Sequence, residues 1–288
     1  MKTFIDCIPC IINQGIRTCR TLNIDDKKTE IIIKKILEEL PKINFSHTAP
    51  YLSSKVWDIV TFYINEKNPY KKTNLFCNNE LSKNYDKLKN IIDSSDNKFK
   101  TAVKLAITGN IIDFGAKNDF DYSVLNDKIF EISSKKLSID NSNELYNKLS
   151  DSKILLYLGD NNGEIIFDKI FIEYLKITFP DLKIFFAVRG RSIINDVTKE
   201  DAINVGMDKL VEIIDNGSGY PGTDISDVNE KFKNLFYKSD VVISKGQGNF
   251  ETLNDIDRDD VYFLFMAKCE VVAREINSDI LGLVCLKN

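Results

Sequence analysis

Residues 153–163 read KILLYLGDNNG, and this stretch decides the fold. Lys153–Leu158 is a short apolar run, the pattern of a strand buried on both faces. Gly159 to Gly163 form a polar turn, and Glu164 to Ile177 then carry apolar residues at helical spacing. The same alternation continues downstream. Strands are expected at Lys183–Val188 (KIFFAV), Leu210–Ile214 (LVEII), Asp240–Ser244 (DVVIS) and Val261–Met266 (VYFLFM), with a last one at Ile280–Leu286, at an edge. Helices are expected at Thr198–Val205, closed by Gly206, and at Ser226–Tyr237. This rhythm predicts an α/β fold, a three-layer α/β/α arrangement with a mainly parallel sheet.

Upstream the pattern changes. Thr29–Leu40, Pro50–Tyr63, Leu81–Asp93 and Lys98–Thr108 all have helical spacing, the last ending at Gly109. The 288 residues therefore divide into a mostly helical N-terminal domain, 1–150, and a sheet domain, 151–288, that carries the site.

Composition excludes several classes. Lys and Arg number 39 against 43 Asp and Glu, a net charge of −4, which argues against a nucleic-acid partner. No apolar run approaches the ~20 residues of a membrane span. Asp6 and Pro9 interrupt the apolar start, so no signal peptide is expected, and a cytoplasmic location follows. Six cysteines are too sparse for a disulfide scaffold. The chain has one histidine, His47, read as a packing or surface residue. A catalytic metal would have to be held by oxygen donors, which favour Mg²⁺ or Mn²⁺.

Ligands of such sheets bind beyond the carboxyl ends of the strands. Five polar or glycine-rich turns converge there. Asp160 and Asn161 follow the first strand, where a sharp turn would let both oxygens reach one hard cation; an Asx turn with a helix cap explains the same residues. Asp196 is a third candidate ligand, or a cap for the helix beginning near Val197. Lys245-Gly246-Gln247-Gly248-Asn249 is similar to an anion cradle, without the spacing of a Walker A loop or a dinucleotide fingerprint. Lys268 offers a second cation, or a solvated charge. A divalent metal beside a phosphate fits hydrolysis of a phosphate monoester by metal-activated water. The D-x-D-x-T pattern of a phospho-aspartate route is absent at Asp160.

Seven segments together resemble the damage-control phosphatase family, whose eukaryotic members are called acidic-residue methyltransferase-like. They are CIPC (Cys7–Cys10) with Gln14, AITGNIIDFGA (Ala106–Ala116), LGDNNGEIIFDK (Leu158–Lys169), VRGRSIINDVTKEDA (Val188–Ala202), DNGSGYPGT (Asp215–Thr223), SKGQGNFETL (Ser244–Leu253) and AKCEVVA (Ala267–Ala273). The resemblance spans almost the whole chain and is closest to the stand-alone prokaryotic branch.

It implies a metal-dependent phosphatase acting on small phosphorylated metabolites, sugar phosphates included. Mn²⁺ or Mg²⁺ is the implied ion, with Co²⁺ or Ni²⁺ as alternatives. The implied metal ligands are Asp160, Asn161 and Asp196, which are also the catalytic residues. Substrate contacts are expected from Lys245, Gly246, Gly248, Asn249 and Lys268. The family's usual motif has alanine where this chain has Asn162. Asn110 and Asp113 of GNIIDFG are further substrate candidates, against a capped helix end and turn. Cys7 and Cys10 could join Cys269 at a soft metal or act in redox chemistry, against a purely structural role. Two other functions remain open: a phosphometabolite sensor without turnover, and an S-adenosylmethionine-dependent carboxyl methyltransferase, for which no glycine-rich loop is present. Oligomeric state is not legible.

Overall fold

The computed structural model describes residues 1–109 and 135–288. Six helices come first: α1 (Cys7–Thr21), α2 (Asp26–Glu39), α3 (Ala49–Ile64), α4 (Lys71–Ser82), α5 (Tyr85–Asp93) and α6 (Lys98–Thr108). Their starts follow local chemistry. Asp25, Thr48 and Asn97 each accept a hydrogen bond from a backbone N–H in the first turn of α2, α3 and α6. The single helix expected over Leu81–Asp93 is instead the end of α4 and all of α5. The break comes at Lys83 and Asn84, whose N–H groups bond the carbonyls of Glu80 and Leu81 in tight turns.

The remaining elements alternate. They are β1 (Leu137–Asp140), α7 (Ser142–Ser150), β2 (Ile154–Leu158), α8 (Glu164–Thr178), β3 (Lys183–Val188), α9 (Lys199–Asn204) and β4 (Glu212–Asp215). Then come α10 (Glu230–Lys238), β5 (Val241–Lys245), α11 (Gln247–Leu253), β6 (Val261–Met266), α12 (Glu270–Glu275) and β7 (Leu283–Lys287). The seven-stranded sheet has the order β1-β7-β6-β5-β2-β3-β4. Neighbours are parallel except β6 and β7. The last strand is not at an edge, because β1 pairs outside it. The four residues of β1 are too few, and too polar on one face, to announce a strand by periodicity.

Strand alternation sorts the core into two layers. Leu155, Tyr157, Ile184, Phe186 and Ile243 face α6 and α8. Leu156, Leu158, Phe185, Val242, Phe263 and Phe265 face α10, α11 and α12. Helices α1, α2 and α3 keep a smaller core of their own around Ile11, Ile32, Ile36 and Val56. Packing does not divide at residue 150: α5, α6, β1 and α7 all lie before that point and are built into the sheet layers. Strands β3 and β5 leave β2 on opposite sides, so the crevice at the carboxyl ends of β2 and β5 is the topological switch point.

Candidate active site

Asp160 lies two residues beyond β2, beneath the start of α11. Glycine is required opposite it. Gly246 has φ +82°, and a Cβ there would fall 1.9 Å from Asp160 Oδ2. The turn after β2 and the turn after β3 are tied together by their main chains. Asn162 N–H donates to the Asn195 carbonyl (2.8 Å) and Val197 N–H to the Asp160 carbonyl (2.8 Å). Asn161 and Asp196 form an isolated bridge pair between them. The three expected ligands are therefore brought together.

A buried guanidinium organises the pair of acids. Arg189 follows β3 directly. Its Nε donates to Asp196 Oδ2 (2.7 Å) and its Nη2 reaches Asp160 Oδ1 (3.5 Å). Nη1 donates to Thr223 Oγ1 (3.2 Å) and to Asn249 Oδ1 (3.1 Å). Asn249 in turn donates to the Lys245 carbonyl (2.6 Å) and accepts from Thr223 Oγ1 (2.8 Å). Its polar atoms are thus spent within the protein, so Asn249 holds Arg189 rather than facing the open cavity as expected. The sequence places Arg189 in one of the five strand-end turns and Thr223 in a loop expected to set specificity, but gives neither a part in holding the acids. An arginine ending a buried strand, in VRGR, was the available signal.

Burial pushes the Asp160 carboxyl well above the usual carboxylate range, and the charges of Asp196 and Glu164 push it further, against Arg189 and Lys268. Asp196 is raised to about 6, again first by burial, with Arg189 opposing. Two crowded carboxylates and an amide are a hard-oxygen donor set short of positive charge, and a divalent cation fits it. The amide of Asn161 now donates to Asp160 Oδ2 (2.7 Å); the same amide turned over presents its oxygen there.

Lys268 is exposed and follows β6. It lines a cavity of about 370 Å³ with Gln247, Gly248, Ile194 and Pro221 on the sheet side. Cys7, Cys10 and Gln14 of α1 and Pro50 and Ser53 of α3 form the other wall. The three expected ligands, Asp160, Asn161 and Asp196, do not line this cavity themselves. Ile194, two residues before Asp196, and Gly248, two residues after the Gly246 that packs on Asp160, do line it, and the charge of Lys268 opposes the raised pKa of both acids.

Lys245 does not face the cavity, contrary to the expectation of a substrate contact. Its ammonium is fully buried and donates to Glu164 Oε1 (2.7 Å), to the Ala106 carbonyl (2.8 Å) and to Asp168 Oδ1. Tyr157 also donates to Asp168 (2.6 Å). Lys245 shares a strand face with Val241 and Ile243, so pleating aims it at α6 and α8, away from any phosphate in the cavity. Gly246 and Gly248 stay at the site as close approaches of backbone. A Cβ on Gly248 would meet the Pro221 carbonyl at 2.1 Å.

Asn110 and Asp113 lie outside the described residues. Cys269 lines the cavity with Cys7 and Cys10, and all three are free thiols. Among the described residues no group of three His, Cys, Asp or Glu side chains is arranged to hold an ion. His47 is exposed and stacks on Tyr51 at 4.1 Å, away from this cavity. None of the described helices is long and apolar enough to cross a membrane.

Comparison with known proteins shows the family and the fold. A family model described as the damage-control phosphatase ARMT1-like domain matches residues 3–281. A damage-control phosphatase of Pyrococcus horikoshii, PH1575, is 33% identical, over 100% of this chain and 99% of the relative. A damage-control phosphatase of Archaeoglobus fulgidus is 29% identical, over 97% of each chain. The crystal structure of the Pyrococcus horikoshii protein, a DUF89 family protein, superposes with a TM-score of 0.92 at 32% identity, covering 100% of this chain and 99% of that one.

Proposed function

The chain belongs to the damage-control phosphatase ARMT1-like family, and from that premise we propose that it hydrolyses phosphate monoesters of small metabolites with a divalent cation. The observation that carries this reading is the meeting of Asp160, Asn161 and Asp196 beside a cavity whose wall supplies Lys268. About 370 Å³ suits a small phosphorylated metabolite.

Asp160, Asn161 and Asp196 would hold the ion, Mn²⁺ or Mg²⁺ by donor type, with Co²⁺ or Ni²⁺ able to substitute. When bound, the ion supplies Lewis-acid polarisation of the phosphoryl oxygens and a more acidic water. The chain's own residues do the rest. Arg189 holds Asp196 and Asp160 in register, and Thr223 and Asn249 fix Arg189. Lys268 offsets the charge of the phosphate at the cavity wall. The α1 and α3 wall and Pro221 contact the remainder of the substrate and set its identity. The net charge of −4 and the small cavity fit a free metabolite in the cytoplasm rather than a nucleic acid.

A metal-by-substrate screen tests this. Phosphate release from p-nitrophenyl phosphate or sugar phosphates is expected with Mn²⁺, Mg²⁺, Co²⁺ or Ni²⁺, and loss with a chelator. Asp160→Ala is expected to remove about 10²–10³-fold of the activity or more. Ester binding without phosphate release would instead make the chain a sensor, and no release with any ion would end the phosphatase reading.

A further inference from the structure

Two buried asparagines far apart in the chain meet behind the acid pair. Asn78 sits on α4 and Asn162 in the turn after β2, and both are 2% exposed. Asn78 Nδ2 donates to Asn162 Oδ1 (2.8 Å), and Asn78 Oδ1 accepts from Gly163 N–H (2.6 Å). Asn162 Nδ2 then donates to the carbonyls of Asn195 (3.1 Å) and Asp196 (3.2 Å). One continuous chain of amides thus runs from α4 through the Asp160–Asn161 turn to the Asp196 turn. Gly163, at φ +83°, is the residue that caps α8, and its N–H is satisfied from outside the helix.

We propose that Asn78 and Asn162 form an amide clamp that positions the two ligand-bearing turns, so that helix α4 sets the affinity for the divalent ion. The proposal rests on the metal reading above. Neither side chain touches ion or substrate. Both are positioning residues, acting through Asp160, Asn161 and Asp196. The physical argument is that main-chain bonds tie the two turns to each other, while the amide chain ties both of them to α4, so α4 fixes where the ligand-bearing turns sit. Side-chain amides in the core supply that tie, since each unmade bond there would leave a desolvated polar atom. Groups that orient ion ligands in this way change metal affinity about 10–100-fold when removed.

The test is Mn²⁺ binding by calorimetry or electron paramagnetic resonance, beside phosphate release as a function of Mn²⁺. Asn162→Ala is expected to raise the Mn²⁺ Kd about 10–100-fold. At saturating Mn²⁺ its kcat should return close to the parent value, because the ligands themselves remain. Asn78→Ala should shift Kd in the same direction. The double variant should lose no more than the worse single variant, as expected for two members of one device. Leu81→Ala, in the core of the same helix with no hydrogen bond to either turn, controls for lost stability; it should lower Tm and leave Kd unchanged.

Should Asn162→Ala fail to fold, Asn78→Ala decides the matter alone. A parent-like Kd in the folded variants, with the parent itself binding Mn²⁺, overturns the clamp and leaves the phosphatase reading standing. A parent that binds no Mn²⁺ overturns both.

Discussion

Lys245 and Lys268 occupy nearly equivalent places, each at the carboxyl end of one of two neighbouring strands, β5 and β6. Their surroundings are opposite. Lys245 is the last residue of β5, so strand pleating still governs it and sends its ammonium between α6 and α8. Lys268 is two residues past β6, in a turn whose backbone is bonded to Gln247 (Lys268 N–H to Oε1, 2.9 Å), and its side chain is left in the cavity. The lysine on the strand belongs to the core on its face; the lysine beyond the strand lines the cavity. The chemistry of the residue is the same, and its place on the strand or beyond it decides whether it is buried in the core or left in the cavity.

Lys245→Met should break the comparison most forcefully. It leaves Glu164 and Asp168 buried without their cation, an expected loss of about 3–5 kcal/mol. Urea unfolding measures it. A variant as stable as the parent would mean that Lys245 is no more structural than Lys268. The converse change, Lys268→Ala, should cut phosphate-ester turnover by about 10²–10³-fold. Its unfolding free energy should stay within about 0.5 kcal/mol of the parent, as for an exposed side chain.

The finest distinction is in pH dependence. Burial raises Asp168 to about 6 despite Lys245 beside it. The unfolded chain releases the same proton near the ordinary value of about 3.9. Stability from this group is therefore full below about pH 4 and is lost as pH rises through about 6. The amide introduced by Asp168→Asn does not titrate, so the stability difference between parent and variant should shift between about pH 4 and 6 and flatten above. Urea midpoints across that range check it, and a difference that stays constant would remove Asp168 from the titrating core.

Much of the fold was legible because its signals are local. Apolar runs such as KILLYL and VYFLFM are buried on both faces whatever their partners, and the polar turn after each is confined to the carboxyl-end crevice. Asp160, Asn161 and Asp196 were singled out for that reason, and the structure brings their turns together. The errors have local causes as well. Helix α4 (KKTNLFCNNELS) is rich in polar residues and has a weak apolar stripe, so nothing in it announces a helix. Strand β1 is too short to show a period and is fixed by pairing with β7.

By itself the sequence determined the alternation of strand and helix and the residues offered at each strand end, since those depend on neighbours within a few positions. Tertiary structure alone decided which strand face meets which helices, and so turned Lys245 inward. It brought Arg189 between two acids, and it carried Asn78 across 84 positions to the turn at Asn162. Such contacts are set by how elements stack in space, and no periodicity within a segment records them.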